Sequence, residues 1–205
     1  HLKHGTRIVL HVKPDMQDEY LERFRLSGII TQYSNHIRFP INMPNDKGEK
    51  ERINDAQAIW KKEKSQITPE EHADFFKSVA HVGGSPWLTL HNKNEGRDVS
   101  FVNLLYVPSV KPFDLFHPER RCSIQLYVKG VFVTEDGDKV SLLPRHLRFI
   151  KGIVDSDDLP LNINRDSLQQ TSKINSIRNS LTKRILGELK KIAANDEDKY
   201  KEFWD

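Results

Sequence analysis

Residues 99–107 read VSFVNLLYV and residues 123–133 read SIQLYVKGVFV. Both runs are dense in β-branched and aromatic side chains, the composition of strands. Downstream, Ile174, Ile177, Leu181, Ile185, Leu189 and Ile192 recur at spacings of three and four within residues 172–194. That period predicts one long helix with a single apolar face. Upstream, Thr68-Pro69-Glu70-Glu71 is a helix start: Thr68 can cap, Pro69 suits the first helical position and Glu71 completes a capping box. Phe75, Phe76 and Val79 supply the apolar stripe of that helix, and Gly83-Gly84 stops it. Strands mixed with helices on both sides predict an α/β or α+β sandwich.

The rest of the chain is read by the same rules. Residues 7–12 (RIVLHV) predict a strand. Pro14-Asp15 opens a helical stretch in which Tyr20, Leu21, Phe24, Ile29, Ile30 and Tyr33 recur as in two short helices. Residues 38–43 predict a short strand, an edge one because of Pro40. Residues 44–55 (PNDKGEKERIND) are charged and carry almost nothing to bury, so they are the best linker candidate. Residues 135–138 predict a turn. Residues 142–154 predict a helix entered through Pro144, residues 164–170 a further one, and the last residues look helical. No internal repeat is present.

Composition narrows the function classes. The chain has 205 residues, 37% hydrophobic and 30% charged, with a mean hydropathy of −0.64. No run approaches the roughly 18 apolar residues of a membrane span. A single cysteine, Cys122, excludes an internal disulfide and a multi-cysteine zinc site, and it fits a reducing compartment. Net charge is +3, from 32 basic and 29 acidic residues, too balanced to make nucleic acid the main partner. The chain opens on His1 without a signal peptide and closes on KEFWD, which reads as a piece of something larger.

Standalone catalysis has little support. No Gly-rich phosphate loop, serine elbow or paired histidine motif occurs. His1, His4 and His11 lack the carboxylate or cysteine spacing of a metal site, and Cys122 lacks a nucleophile signature, which leaves it as a packing residue. The bases of residues 173–191 have no aromatic interleaving, so a solvated face is favoured over a nucleic-acid surface. Residues 108–118 (PSVKPFDLFHP) are more unusual. Phe113, Leu115 and Phe116 either fold back on the core or form an exposed apolar surface.

The richest stretch is residues 155–170, DSDDLPLNINRDSLQQ. Leu159-Pro160-Leu161 is extended, and Asn162 or Asn164 can cap the helix that follows. Arg165 then lies in a first turn, where a cation opposes the helix dipole. Gln169 shares its face. A guanidinium and an amide at a helix start make a donor pair suited to phosphate oxygens, although from spacing alone a salt bridge from Arg165 to Asp157 or Asp158 is favoured.

This stretch resembles the middle-domain signature of the heat-shock protein 90 family, D-S-x-D-L-P-L-N-x-S-R-E-x-L-Q. The flanks agree. LRFIKGIVDS (147–156) resembles L-x-F-V-K/R-G-V-V-D-S, LYVKGVFV (126–133) resembles L-Y-V-R-R-V-F-I, and VPSVKPFDLF (107–116) resembles I-P-x-x-A-P-F-D-L-F. Asn94-Glu95-Gly96, Trp60 and residues 65–71 fall in order, and the short 44–55 linker is similar to the bacterial type.

The resemblance implies an ATP-dependent molecular chaperone of the cytoplasm, a slow ATPase when intact, and a three-layer α-β-α sandwich middle domain. Residues 1–43 would be the tail of the N-terminal ATPase domain, 44–55 the linker, 56–195 the large α-β-α part of the middle domain and 196–205 the start of a helical connector. It implies that Arg165 reaches the γ-phosphate of ATP bound by the N-terminal domain, that Gln169 supports it, that Asn162 belongs to the same loop and that Thr6 helps line the adenine pocket. The Mg-binding and glutamate residues of the family are not in this chain. Phe113, Leu115 and Phe116 match the family's client-contact loop, and Trp87 lies near its other client region. Implied partners are the chain's own N-terminal ATPase domain, non-native proteins, a heat-shock protein 70 type co-chaperone and a second copy through a C-terminal dimer domain, with no nucleic acid and no membrane. An alternative is a module that holds clients without a catalytic role. Departures are mild at Asn164 and Asp166. At Lys129-Gly130, where the family has two arginines, Gly130 removes a charge.

Overall fold

A computed structural model describes residues 4–80, 84–120, 122–135, 140–160 and 172–204. Its centre is a five-stranded mixed sheet. The strands are β3 (Pro86–Glu95), β4 (Ser100–Pro108), β5 (Ser123–Val128), β6 (Val131–Glu135) and β7 (Lys151–Ser156), in the order β3-β4-β7-β5-β6. Pairings are antiparallel except β5 with β7, which run parallel in the middle of the sheet. A second, two-stranded sheet pairs β1 (Asn42–Pro44) with β2 (Lys50–Arg52).

Alternation along the strands builds two cores. On one face, Leu104, Tyr106, Tyr127 and Ile153 pack with Trp60 and with Phe76, Val79 and Ala80 of helix α3 (Pro69–Ala80). On the other, Leu105, Val107, Ile124, Leu126 and Val154 meet Ile174, Ile177, Leu181, Ile185 and Leu189 of helix α4 (Ser172–Asn195). Helix, sheet and helix therefore stack as three layers, an α+β fold. Helix α5 (Glu197–Trp204) follows α4, and its Phe203 joins the second core's rim against Phe149 and Trp87. The capping box is formed: the Thr68 amide donates to Glu71 Oε2 at 3.0 Å, and the Glu71 amide to Thr68 Oγ1 at 3.2 Å.

Three expectations change. Residues 142–154 are a short 3-10 turn, Arg145–Leu147, followed by the central strand β7. Lys-Gly-Ile-Val-Asp-Ser is short and wholly buried, so its apolar residues show no period that separates strand from helix. Residues 123–133 are two strands, because Lys129 and Gly130 both take positive φ, 55° and 79°, and turn the chain back. Residues 7–12 form no strand, and Ile8, Val9 and Leu10 are exposed. Strand β3 carries no turn or apolar pattern strong enough to be read in advance. The charged segment 44–55 is ordered as the β1–β2 hairpin without apolar burial. Asn45 Oδ1 accepts the Lys47 and Glu49 amides inside the turn. At the base, buried Asn54 accepts the Ile41 amide at 2.7 Å and donates to Phe39 O at 2.9 Å.

Before this hairpin, helices α1 (Gln17–Tyr20) and α2 (Arg23–Ser34) lead to the sheet, where Tyr33 meets the ring of Phe132 on β6. His36 packs edge-on against Trp60, with centroids 4.7 Å apart. Its backbone carbonyl would lie 2.9 Å from a Cβ at Gly130, so the close approach needs that glycine.

Two predictions follow from this packing. A Cβ at Gly152, where φ is +130°, would lie 2.2 Å from Leu104 O inside the sheet. Gly152→Ala should cost about 3 kcal/mol or more in urea unfolding, whereas Gly187→Ala, in open space on α4, should gain about 0.5–1 kcal/mol. Burial lowers the His36 pKa below its ordinary 6.5, with Asp55 and Asp155 opposing; burial and neighbouring His91 lower that of His72. The unfolded histidines therefore bind protons that the folded ones refuse. Stability should fall as pH drops through this window, by at most about 1.4 kcal/mol per pH unit from His36, and His36→Gln should flatten the slope of melting temperature against pH.

Candidate functional site

The apolar run of β7 ends on two polar residues, Asp155 and Ser156, both buried. Burial of Asp155 is tolerated because donors converge on it. The Trp60 indole Nε1 donates to Oδ2 at 2.9 Å, the Lys61 ammonium lies 3.0 Å from the same oxygen, and the Gly130 amide donates to Oδ1 at 3.2 Å. Lys129-Gly130 ends β5 and Asp155-Ser156 ends β7, so the carboxylate joins the two parallel strands at their carboxyl ends. In mixed sheets this edge is where ligands are bound.

The next residues root the segment that carries the signature. Ser156 Oγ donates to Ser100 O at 2.7 Å and accepts the Asp158 amide at 3.3 Å. Asp158 Oδ2 accepts the Ser100 amide at 2.6 Å, and the Lys173 ammonium at the head of α4 donates to Asp158 O at 2.8 Å. Leu159 is buried in the same core as Ile174. The described residues on either side of 161–171 are thereby fixed to the sheet edge and to each other. Asn162, Arg165 and Gln169 lie outside the described residues. Beside the root, a cleft of about 840 Å³ has a largely apolar wall, with Ile37, Phe39, Ala58 and Val131, and carries Arg38, Lys61, Lys62, Lys129 and Asp157, of which Lys61 is paired with Asp155. Lys62 also pairs with Glu71 at 2.6 Å, and that ammonium holds the Glu71 carboxyl below its ordinary range. Such a cation-rich edge suits anionic groups.

The opposite end of the sheet is apolar. Strand β4 runs antiparallel to β7, so the loop after Pro108 emerges where β7 begins. Phe113 is fully exposed and Phe116 is 81% exposed, while Leu115 is half-buried. The loop displays its rings to water rather than folding them into the core. Trp87 shares this end, since Pro86 pairs with Pro108. Its ring is half-buried, stacked on Phe203 with centroids 5.1 Å apart and covered by the Lys199 ammonium at 5.6 Å. The structure thus brings Trp87 and the Phe113 loop to one end and the root of the Arg165 segment to the other. Thr6 is exposed on the irregular N-terminal stretch, apart from both.

Other candidates are placed as follows. Among the described residues, no group of three or more histidine, cysteine, aspartate or glutamate side chains could hold a metal ion. Cys122 is buried, its thiol 3.7 Å from Leu143 O. No helix among the described residues is long and apolar enough to cross a membrane. The sequence placed Asp155 and Ser156 at the head of the 155–170 stretch without giving them an anchoring role. The available signal was an acid ending an otherwise apolar run.

Comparison with known proteins fits this geometry. The Hsp90 protein family matches residues 44–205. The chaperone protein HtpG of Ehrlichia ruminantium (strain Gardel) is 55% identical over 201 residues, 98% of this chain and 31% of that protein. The HtpG of Wolbachia sp. subsp. Brugia malayi (strain TRS) is 54% identical over 200 residues, with the same coverage. That of Rickettsia massiliae (strain Mtu5) is 47% identical over 201 residues, 98% of this chain and 32% of that protein. The chain thus spans about a third of the length of these curated relatives. Over that span it belongs to the Hsp90 family.

Proposed function

We propose that this chain is the part of an ATP-dependent, cytoplasmic molecular chaperone that carries Arg165 to the γ-phosphate of ATP and offers a surface to non-native proteins. The relatives named as chaperones support the broad reading. The observation that carries the finer one is the rooting of residues 155–160 at the carboxyl end of β7, beside a cation-bearing cleft. A donor that must cross to a nucleotide held by another domain needs a fixed base. Asp155, Ser156 and Asp158 supply it.

In this reading ATP sits in the N-terminal ATPase domain, of which residues 1–43 are the tail and Thr6 a pocket residue. Residues 44–55 link it to the middle domain, 56–195, and 196–205 begin the connector. The guanidinium of Arg165 places positive charge on the phosphoryl oxygens as charge develops there, with Gln169 and Asn162 holding it in place. Dimerisation through a further domain and contact with a heat-shock protein 70 type co-chaperone belong to the same proposal. In the full-length protein, Arg165→Ala should lower ATP turnover by about 10- to 1,000-fold, the scale of one lost transition-state donor. Turnover equal to wild type removes Arg165 from this role.

A second reading, a client-holding module without a catalytic duty, is favoured by the exposure of Phe113 and Phe116. Its test is titration with a permanently unfolded protein. Phe113→Ser should weaken binding, by about 1.5–3 kcal/mol if the whole ring is engaged. Unchanged affinity removes the loop from the client surface.

A further inference from the structure

Two phenyl rings held in water are unfavourable, and a free loop between β4 and β5 would be expected to fold them in. Phe113 and Phe116 stay out because the rest of the loop is tied down. Three tight turns follow one another: the Leu115 amide donates to Pro112 O at 3.0 Å, the His117 amide to Asp114 O at 2.9 Å and the Arg120 amide to His117 O at 3.1 Å. Asp114, between the exposed rings, points inward and forms an ion pair with Arg120 Nη1. The Arg120 side chain is only 10% exposed, and its Nε has no hydrogen-bond partner among the described residues. Two more arginines reach over from the 3-10 turn before β7. Arg145 Nη2 donates to Pro118 O at 2.6 Å and Arg148 Nη1 to His117 O at 3.1 Å. Three guanidiniums thus grip the polar atoms of one loop from below.

We propose that Arg120, Arg145 and Arg148, with Asp114, are positioning residues that hold this loop with Phe113 and Phe116 outward, so that the apolar surface is built before its partner arrives. The partner is an extended apolar segment of a non-native protein, and the inference rests on the client reading above. Arg120 is suited to the task. It is desolvated and faces the like charge of Arg148, so Asp114 is the acid that compensates it. A preformed surface avoids the ordering cost that a mobile loop would add to each encounter.

The test uses the chain with reduced, carboxymethylated α-lactalbumin as the probe. Asp114→Asn should weaken probe binding about threefold to tenfold, the ordering cost of a loop side chain or two. It should also speed amide exchange at Leu115, His117 and Arg120, and lower the melting temperature because Arg120 loses its counter-charge. Arg145→Met, on an exposed side chain, should move affinity and exchange the same way, with Arg145→Lys restoring both; it decides the matter if Asp114→Asn does not fold. If Phe113→Ser weakens binding but neither clamp variant does, the clamp is overturned and the client surface stands. If Phe113→Ser also binds as wild type, the client surface fails and the clamp's role fails with it.

Discussion

The carboxylate of Asp155 on β7 ties the segment before α3 to the turn after β5. Its partners are Trp60 and Lys61 from the first and the Gly130 amide from the second. A buried carboxylate without partners would be driven out or neutralised. Here an indole, an ammonium and a backbone amide leave it satisfied, and each partner is fixed in return. Trp60 is pinned over the sheet, where His36, Phe75 and Tyr127 pack around its ring. Gly130 is drawn in beneath His36. The N-terminal helices, the first core and the rim of the parallel strand pair therefore meet at one charged group.

That arrangement explains the division of labour along the sheet. Strands β5 and β7 are parallel neighbours, so both deliver their carboxyl ends to one edge, and the signature segment leaves from it. The aromatic loop leaves from the other edge because β4 runs against β7. Polar anchors dominate the first edge: Asp155, Ser156, Asp158 and Lys173. At the second edge the anchors are arginines that hold backbone carbonyls and one carboxylate while the rings face water. Each edge is rigid for its own reason.

Much of the fold was legible. Residues 99–107 carry strand composition, residues 172–194 a helical period, and the Thr68–Glu71 box has fixed spacing, so all three appear as read. The failures have separate causes. The strand 151–156 is buried on both faces, which erases the period that tells strand from helix. The break at Lys129-Gly130 is a backbone event, visible only as one glycine within an apolar run. The run at 8–10 has strand composition, but a strand is defined by a partner, and composition names none. The 44–55 hairpin is held by Asn45 and Asn54, which burial arguments overlook. At the candidate site, resemblance to a known signature singled out residues 155–170, of which Arg165 lies outside the described residues, whereas the anchoring role of Asp155 was hidden because its partners are 25 and more residues away.

The distance between the two edges limits how they can influence each other. Strand β7 is six residues long, roughly 20 Å. The Debye length at physiological ionic strength is about 8 Å, so charge at one edge is largely screened at the other across water. Influence between the two edges must then pass through packed matter. Strand β7 and its neighbours offer a continuous route, with Asp155 at one end and the Arg145–Arg148 turn feeding the other. Because such a core is close-packed and yields in discrete steps, a shift at the carboxyl edge would reach the aromatic loop as a movement of its arginine supports rather than as a field.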